Sequence, residues 1–298
     1  MSEAPVEVKM AGFLRPKSIT EAVDALEQGN VLVLAGGTDF FPALGNQPFD
    51  GTVVDVSSIP ELLRITQSDE AISIGAAVTW SAIAKSDLPR CFAGLKQAAA
   101  KIGSIQIQNR GTIAGNLCNA SPAADGIPPL LVLDGEVVLQ STQGTRSLPL
   151  HEFVIGRRQT QRRANELVTS ITVPAGMSQA YSVFKKLGAR QYLVISIAMV
   201  AVSLLISNSE TGASILDARV ALGSCGPRAL RLRGLEDALC GAAAAVGISH
   251  LVHKDHFVEI SPIDDVRASA SYRRDAALIL VQDALEECVA KFNRSVAQ

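Results

Sequence analysis

Two glycine-bearing segments hold the residues of this sequence that are best suited to bind an anion. The first, residues 34–39 (Leu-Ala-Gly-Gly-Thr-Asp), directly follows the short apolar run 31–34 (Val-Leu-Val-Leu). Adjacent glycines permit positive φ angles, so the backbone can turn sharply and successive N–H groups can converge on one anion. Gly36 and Gly37 present no side chain to obstruct a diphosphate, and Thr38 adds a hydroxyl. Taken alone, the segment fits an ordinary strand-to-helix turn equally well.

The second segment is residues 111–116 (Gly-Thr-Ile-Ala-Gly-Asn), which continues through a polar run to Asp125, the only formal charge between 111 and 125. Such a run suits a polyhydroxylated chain such as a ribityl, beside a phosphate bound by backbone donors; the alternative is a long surface loop. Seven glycines and prolines between 103 and 129 predict one long irregular stretch. Irregular stretches of this length inside a compact domain are usually functional.

The elements that must position these segments are predicted from the hydrophobic pattern. A capping pattern at 18–21 (Ser-Ile-Thr-Glu) opens a helix that Gly29 ends, and an alanine-rich run predicts a helix over 92–102. Short apolar runs predict strands at 31–34, 53–56, 71–74, 136–140 and 167–173. The first glycine-bearing segment therefore starts where a strand ends.

A Pro-Ala-Gly run at 174–176 is the predicted domain boundary. Beyond it we expect strands and then helices from about residue 235, the last over 268–292. The strands are expected at 181–187, at 193–206, and in a stretch whose buried face carries Leu216, Ala218, Val220 and Leu222.

Composition limits the class of protein. The 298 residues amount to about two globular domains. A net charge of −2 argues against nucleic acid or an anionic membrane as a partner. The longest apolar run, 193–206, is too short for a membrane-spanning helix, and the acidic N-terminus does not resemble a signal peptide. Five scattered cysteines indicate a reducing compartment and leave this chain poorly equipped to hold an iron–sulfur cluster. We therefore expect a cytoplasmic protein.

Two weaker clusters are interpreted as ordinary surface. His250, His253 and His256 could share a helix face and bind a metal, but an exposed polar face is favoured, so no metal site is predicted. The four arginines between 157 and 163 could dock an acidic partner or a nucleotide acceptor, and a solvated loop is favoured. The sequence lacks the Gly-x-Gly-x-x-Gly fingerprint and a phosphate-binding Walker loop, and no catalytic side chain is predicted.

Five segments resemble the FAD subunits of the molybdenum hydroxylases. This family includes the medium subunits of carbon monoxide dehydrogenase and bacterial xanthine dehydrogenase, and the flavin subunit of nicotinate dehydrogenase. The segments that carry the resemblance are residues 35–39, 102–117, 120–125, 184–190 and 265–273. They occur in the family's order along nearly the whole chain.

The resemblance implies an α+β fold. Residues 1–175 would form an FAD-binding domain of the vanillyl-alcohol oxidase (PCMH) type, with subdomains at about 1–57 and 58–175. Residues 176–298 would form a smaller domain of antiparallel strands and helices, like the C-terminal domain of carbon monoxide dehydrogenase flavoproteins.

The resemblance also implies which residues contact the cofactor. The FAD diphosphate would lie between the two glycine-bearing segments, with Asp125 near the ribityl chain, Leu167 packed on the cofactor and Lys186 near the flavin. The full set is Leu32, Val33, Leu34, Ala35, Gly36, Gly37, Thr38, Asp39, Thr112, Ile113, Ala114, Gly115, Asn116, Asp125, Leu167 and Lys186. Ala114 stands where the family usually has glycine, and Gln108 where it commonly has arginine.

The function implied is electron transfer within a larger oxidoreductase. Electrons from [2Fe–2S] clusters on a small partner subunit would reach FAD here and pass to NAD⁺ or another acceptor, while a large partner carries the molybdenum cofactor. A dimer of heterotrimers is the expected assembly. Two alternatives stay open, namely an interaction subunit that has lost the cofactor, motivated by Ala114 and Gln108, and a stand-alone flavin oxidoreductase.

Overall fold

A computed structural model describes residues 10–45, 49–191, 193–210 and 212–297, which form three main sheets and the helices around them. The strands are β1 (Met10–Leu14), β2 (Val31–Leu34), β3 (Phe49–Asp55), β4 (Ile65–Gln67), β5 (Ala71–Gly75), β6 (Glu136–Ser141), β7 (Gly144–Pro149), β8 (Val154–Gly156), β9 (Gln159–Thr160), β10 (Leu167–Pro174), β11 (Tyr181–Leu187), β12 (Ala198–Ser209), β13 (Gly212–Gly223) and β14 (Leu230–Arg231). The α-helices are α1 (Ile19–Leu26), α2 (Phe40–Leu44), α3 (Trp80–Lys85), α4 (Ala93–Ala99), α5 (Ile105–Arg110), α6 (Ile113–Asn119), α7 (Ile127–Val132), α8 (Leu150–Phe153), α9 (Arg233–Leu239) and α10 (Ala270–Val296).

The first sheet is parallel, in the order β1-β3-β2. Parallel strands of one sheet require crossover connections, and here α1 connects β1 to β2 while α2 lies between β2 and β3. The predicted start of α1 is confirmed, because the Ser18 hydroxyl accepts a hydrogen bond from the Glu21 N–H at 3.1 Å. The helix buries Ala22, Val23 and Leu26 and ends just before Gly29, whose φ is +69°. This unit places the first glycine-bearing segment at the end of β2.

The second sheet is antiparallel, in the order β4-β5-β10-β6-β7. Helices α3 to α7 follow β5 in the chain, and the prediction of one long irregular stretch over 103–129 was wrong. The stretch contains α5, α6 and the first half of α7, and the side chains of Ser104 and Thr112 cap α5 and α6. Gly103, Gly111 and Gly126 lie at or next to helix ends, and Gly115 lies within the first turn of α6, so the number of glycines does not indicate irregular structure.

The third sheet is antiparallel, in the order β11-β12-β13-β14, and packs against α7 and α10. Ala218, Val220 and Leu222 of β13 are buried as predicted, but Leu216 is 59% exposed. Asp217 pairs with Leu205 and Ile215 with Ile206, so Leu216 is the extra residue of a β-bulge. A bulge reverses the alternation, and Ile215 is therefore the residue that points inward.

Other elements of the C-terminal part also differ from the prediction. The strand expected at 193–206 begins only at Ala198, and the segment between α9 and α10 has short 3₁₀ turns at Ile248–Leu251 and Lys254–Phe257 in place of helices. Along the described ranges, no helix combines the length and apolar character that crossing a bilayer requires.

Candidate functional site

A cleft of about 410 Å³ opens between the two glycine-bearing segments. Such a volume lies within the range of small-molecule sites, roughly 300–1,000 Å³. The predicted residues that line it are Leu32, Val33, Ala35, Gly36, Gly37, Thr38, Asp39, Thr112, Ala114, Gly115, Asn116 and Leu167. Leu34 and Ile113 are buried in the core beneath the cleft, and Asp125 and Lys186 do not line it. The fold thus brings together two segments that are about 75 residues apart in the chain.

The two segments touch through their backbones. A Cβ atom added at Gly36 would lie 1.9 Å from the Arg110 carbonyl oxygen and 3.0 Å from the Cα of Gly111. Gly37 has a φ of +76°, a conformation that residues with a side chain rarely adopt. Both glycines are therefore required by the close approach and the turn.

The first segment supplies the unpaired backbone donors of the cleft. Within the described ranges, the N–H groups of residues 36–39 have no protein hydrogen-bond acceptor. Four successive donors at the floor of a cleft match the oxygens of a phosphate or diphosphate. The first segment therefore has the donor set that an anionic cofactor needs.

In the second segment, the first N–H groups of α6 are already bonded within the protein. Ile113 donates to the Val78 carbonyl at 3.0 Å, Ala114 to the Ala76 carbonyl at 3.2 Å, and Gly115 to the Thr112 hydroxyl at 3.1 Å. These bonds fix the helix against the strand end at β5. The second segment consequently offers side chains to a ligand, whereas the first offers N–H groups.

Asn116 provides one such side chain. Its Oδ1 atom is buried without a hydrogen-bond partner among the described residues, and Asn116 lines the cleft. Buried polar atoms in proteins nearly always have a partner. An unsatisfied acceptor in this position, together with the donors of residues 36–39, fits a polar ligand with phosphates and hydroxyls such as FAD.

The two departures from the family pattern have structural explanations. Ala114 is the second residue of α6 and is not among the residues with positive φ, so its methyl group causes no backbone strain. The Gln108 amide donates to the Ala100 carbonyl at 3.1 Å and ties α5 to the end of α4. Gln108 does not line the cleft.

Residues outside the predicted cofactor-binding set complete the walls, among them Phe40, Trp80, Ile107, Arg162 and Glu166. Among these, the sequence had pointed to Arg162, in the basic cluster between 157 and 163, and to Ile107, in the family-like segment 102–117. Trp80 is almost fully buried, and a Cβ at Gly126 would lie 2.4 Å from its ring.

Arg162 and Glu166 are held by local contacts. One Arg162 nitrogen, Nη1, donates to the carbonyls of Arg163, Ala164 and Glu166, most closely to Glu166 at 2.8 Å. Arg146 donates two hydrogen bonds to the Glu166 carboxylate, at 2.6 and 2.8 Å, and these bonds lower the pKa of Glu166. This wall is therefore fixed before any ligand binds.

Asp125 and Lys186 lie together behind the cleft. Their Oδ2 and Nζ atoms are 2.5 Å apart, and both side chains are buried. Burial raises the pKa of the Asp125 carboxyl, and the Lys186 ammonium opposes that shift. No pattern in the sequence pairs these two residues, which are 61 positions apart.

Comparison with known proteins identifies the family. The model of the FAD-binding domain in molybdopterin dehydrogenase matches residues 7–176, and that of the carbon monoxide dehydrogenase flavoprotein C-terminal domain matches 180–288. The chain belongs to the FAD-binding family of the molybdopterin dehydrogenases. This membership confirms the predicted family, the FAD cofactor and the oxidoreductase class.

Relatives span most of the chain. The nicotinate dehydrogenase FAD-subunit of Eubacterium barkeri is 34% identical over 62% of this chain and 65% of its own length. The glyceraldehyde dehydrogenase medium chain of Sulfolobus acidocaldarius is 29% identical over 92% and 97%. The structure of carbon monoxide dehydrogenase from Hydrogenophaga pseudoflava superposes with a TM-score of 0.85 at 28% identity, over 94% of this chain and 97% of that chain. The predicted fold class is confirmed.

Proposed function

We propose that this chain binds FAD in the cleft and relays electrons from [2Fe–2S] clusters on a partner subunit to NAD⁺ or another soluble acceptor. The observation that carries the proposal is the contact of the two glycine-bearing segments, together with the unpaired N–H groups of residues 36–39, which line the cleft. Bound FAD would supply the redox chemistry, since it can take up electrons singly and release them as a pair.

The protein's own task is to hold and orient the cofactor. Residues 36–39 would donate to the diphosphate, Asn116 and Thr112 would contact it from the opposite wall, and Leu167 would pack against an apolar part of it. No side chain in the cleft is assigned a role as an acid or base.

The proposed partners follow from the relatives, whose names describe an FAD-subunit and medium chains of dehydrogenases. We infer an iron–sulfur small subunit and a large subunit with the molybdenum cofactor, assembled as a cytoplasmic dimer of heterotrimers. The cleft wall at Arg162 and Glu166 does not depend on these partners, because its hydrogen bonds, including those from Arg146, lie within this chain.

The test is FAD titration of the purified chain, together with metal analysis and subunit masses of the native assembly. We expect one FAD per chain, and iron and molybdenum on copurifying subunits. An assembly without any flavin would instead identify a cofactor-free interaction subunit. A flavoprotein that turns over substrate without iron or molybdenum would identify a stand-alone oxidoreductase.

A further inference from the structure

A compact cluster of charged residues lies at the start of the last helix, α10, in one of the segments that resemble the family. Asp265 accepts hydrogen bonds from Arg267, at 3.0 Å from Nε, and from Arg273, at 2.6 Å from Nη2. The hydrogen bonds from Arg267 hold the pKa of Asp265 well below its ordinary value. Arg273 is only 1% exposed. We call Asp265, Arg267 and Arg273 the arginine clamp.

The arginine clamp donates hydrogen bonds to the backbone just before β12. Arg267 donates through Nη1 to the Ser196 carbonyl at 2.9 Å, and Arg273 donates through Nη1 to the Ile197 carbonyl at 2.6 Å. Ser196 is fully buried. The clamp therefore fixes the backbone at Ser196 through the carbonyl group of that residue.

Ser196 in turn holds the buried ion pair. Its hydroxyl donates to Asp125 Oδ1 at 2.5 Å, while Lys186 occupies Oδ2. A buried ion pair gains little net stability, because the cost of removing both charges from water offsets their attraction. Buried groups with a shifted pKa, as Asp125 has, are concentrated at functional sites.

The pair lies directly behind the cleft wall. Lys186 Nζ also donates to the carbonyl of Lys101, and the next residue, Ile102, lines the cleft. On the other side, Gly126 follows Asp125 in the chain and abuts the side chains of Trp80 and Asn116, which line the cleft as well. A change in the charge of the pair would therefore change the electrostatic potential within the cleft.

We propose that the arginine clamp is a positioning device which, through Ser196, holds the Asp125–Lys186 pair in its ionised arrangement and thereby tunes the reduction potential of FAD bound in the cleft. The effect on potential rests on the proposed function, whereas the effect on Asp125 does not. The groups that act on Asp125 are Lys186, Ser196 and Lys101. Of these, Ser196 is the one that the clamp holds in place.

The direction of the effect follows from burial. Burial already raises the pKa of Asp125, and the Ser196 hydrogen bond counteracts it, so removal of the hydroxyl increases the protonated fraction of Asp125. The Lys186 ammonium then loses its compensating negative charge. An uncompensated positive charge near a redox cofactor favours the form that carries more electrons, and the potential becomes more positive.

The test compares Ser196→Ala with Ser203→Ala in the FAD-loaded protein. Ser203 is equally buried, and its hydroxyl has no partner among the described residues, so it is a matched control. We expect wild-type FAD content in both variants and a more positive midpoint potential in Ser196→Ala alone. Equal potentials in the wild type and both variants would overturn the tuning role.

A second measurement needs no flavin. In the apo protein near neutral pH, the infrared C=O band of a protonated buried carboxyl should grow in Ser196→Ala and in Arg267→Met, but not in Ser203→Ala, and it should vanish when Asp125→Asn is added. An unchanged spectrum in both test variants would refute the clamp. If the wild type takes up no FAD, the proposed function fails, and this spectrum still decides whether the clamp acts on Asp125.

Discussion

At the scale of single residues, the cleft depends on the absence of a side chain at Gly36. The Arg110 carbonyl occupies the space that a Cβ would fill, and this carbonyl belongs to a backbone already held by the Gly111 N–H to Ile107 carbonyl bond of 2.6 Å. Neither partner can move aside without separating the two segments. The cleft and the contact between its two segments therefore depend on the same glycine.

Gly36→Ala should therefore damage both stability and cofactor binding. We expect a loss of about 1–3 kcal/mol in the free energy of unfolding, as for overpacked sites, and at least about a tenfold weaker FAD affinity, equivalent to 1.4 kcal/mol. Urea unfolding and fluorescence titration with FAD measure the two effects. The control is Gly176→Ala, where nothing lies within 4 Å of the new methyl group. Unchanged FAD affinity in Gly36→Ala would contradict the assigned site.

At the scale of elements, α6 is anchored at its N-terminus by the strand end before it. Its first N–H groups donate to the carbonyls of Val78 and Ala76, and Thr112 caps the helix with its side chain. A glycine at position 114 would have no role in this arrangement, because the residue is helical and its N–H is bonded. The departure from the family pattern at Ala114 is thus compatible with a binding helix.

Ala114→Gly should leave FAD affinity within about twofold of the wild type. It should lower the free energy of unfolding by roughly 0.5–1 kcal/mol, because glycine has the greater backbone entropy in the unfolded chain. The same titration and unfolding experiments apply, with Ala82→Gly in the first turn of α3 as the matched change outside the cleft wall. A large gain in affinity would show that the methyl group at position 114 obstructs the cofactor.

At the scale of the whole molecule, the edge of the third sheet is covered by a helix from the N-terminal part. Strand β11 pairs on one side with β12, and on the other it meets α4, where Gln97 accepts from the Phe184 N–H at 2.7 Å and Gly94 donates to the Ser182 hydroxyl at 2.7 Å. Edge strands with unpaired backbone groups are prone to aggregate, so covering this edge protects it. The same packing places Lys186 of β11 against Asp125.

Gln97→Ala should weaken this junction. The Phe184 N–H would lose its acceptor in a largely buried position, which costs about 1–3 kcal/mol. Urea unfolding should show that loss, whereas Gln143→Ala in the exposed turn between β6 and β7 should stay within about 0.5 kcal/mol of the wild type. A variant at position 97 as stable as the control would mean that water satisfies the N–H group.

Local sequence determined much of this protein. Short apolar runs and the Ser18 cap were sufficient to place α1, β2, β5, β10 and β11, because these signals act within a few residues. The segments 34–39 and 111–116 were recognisable from their glycines and from the family they resemble. The number of glycines and prolines wrongly predicted an irregular stretch over 103–129. A residue that ends one helix can also precede the start of the next.

Only the tertiary structure decided how these parts combine. The contact of Gly36 with Arg110, the pairing of Asp125 with Lys186, and the reach of the arginine clamp to Ser196 all join residues more than 60 positions apart. The β-bulge at Leu216 was equally hidden, because it depends on the register with β12. Such contacts are set by the packing of sheets and helices against one another. The pattern of residue types along the chain does not tell how far apart two distant residues lie in space.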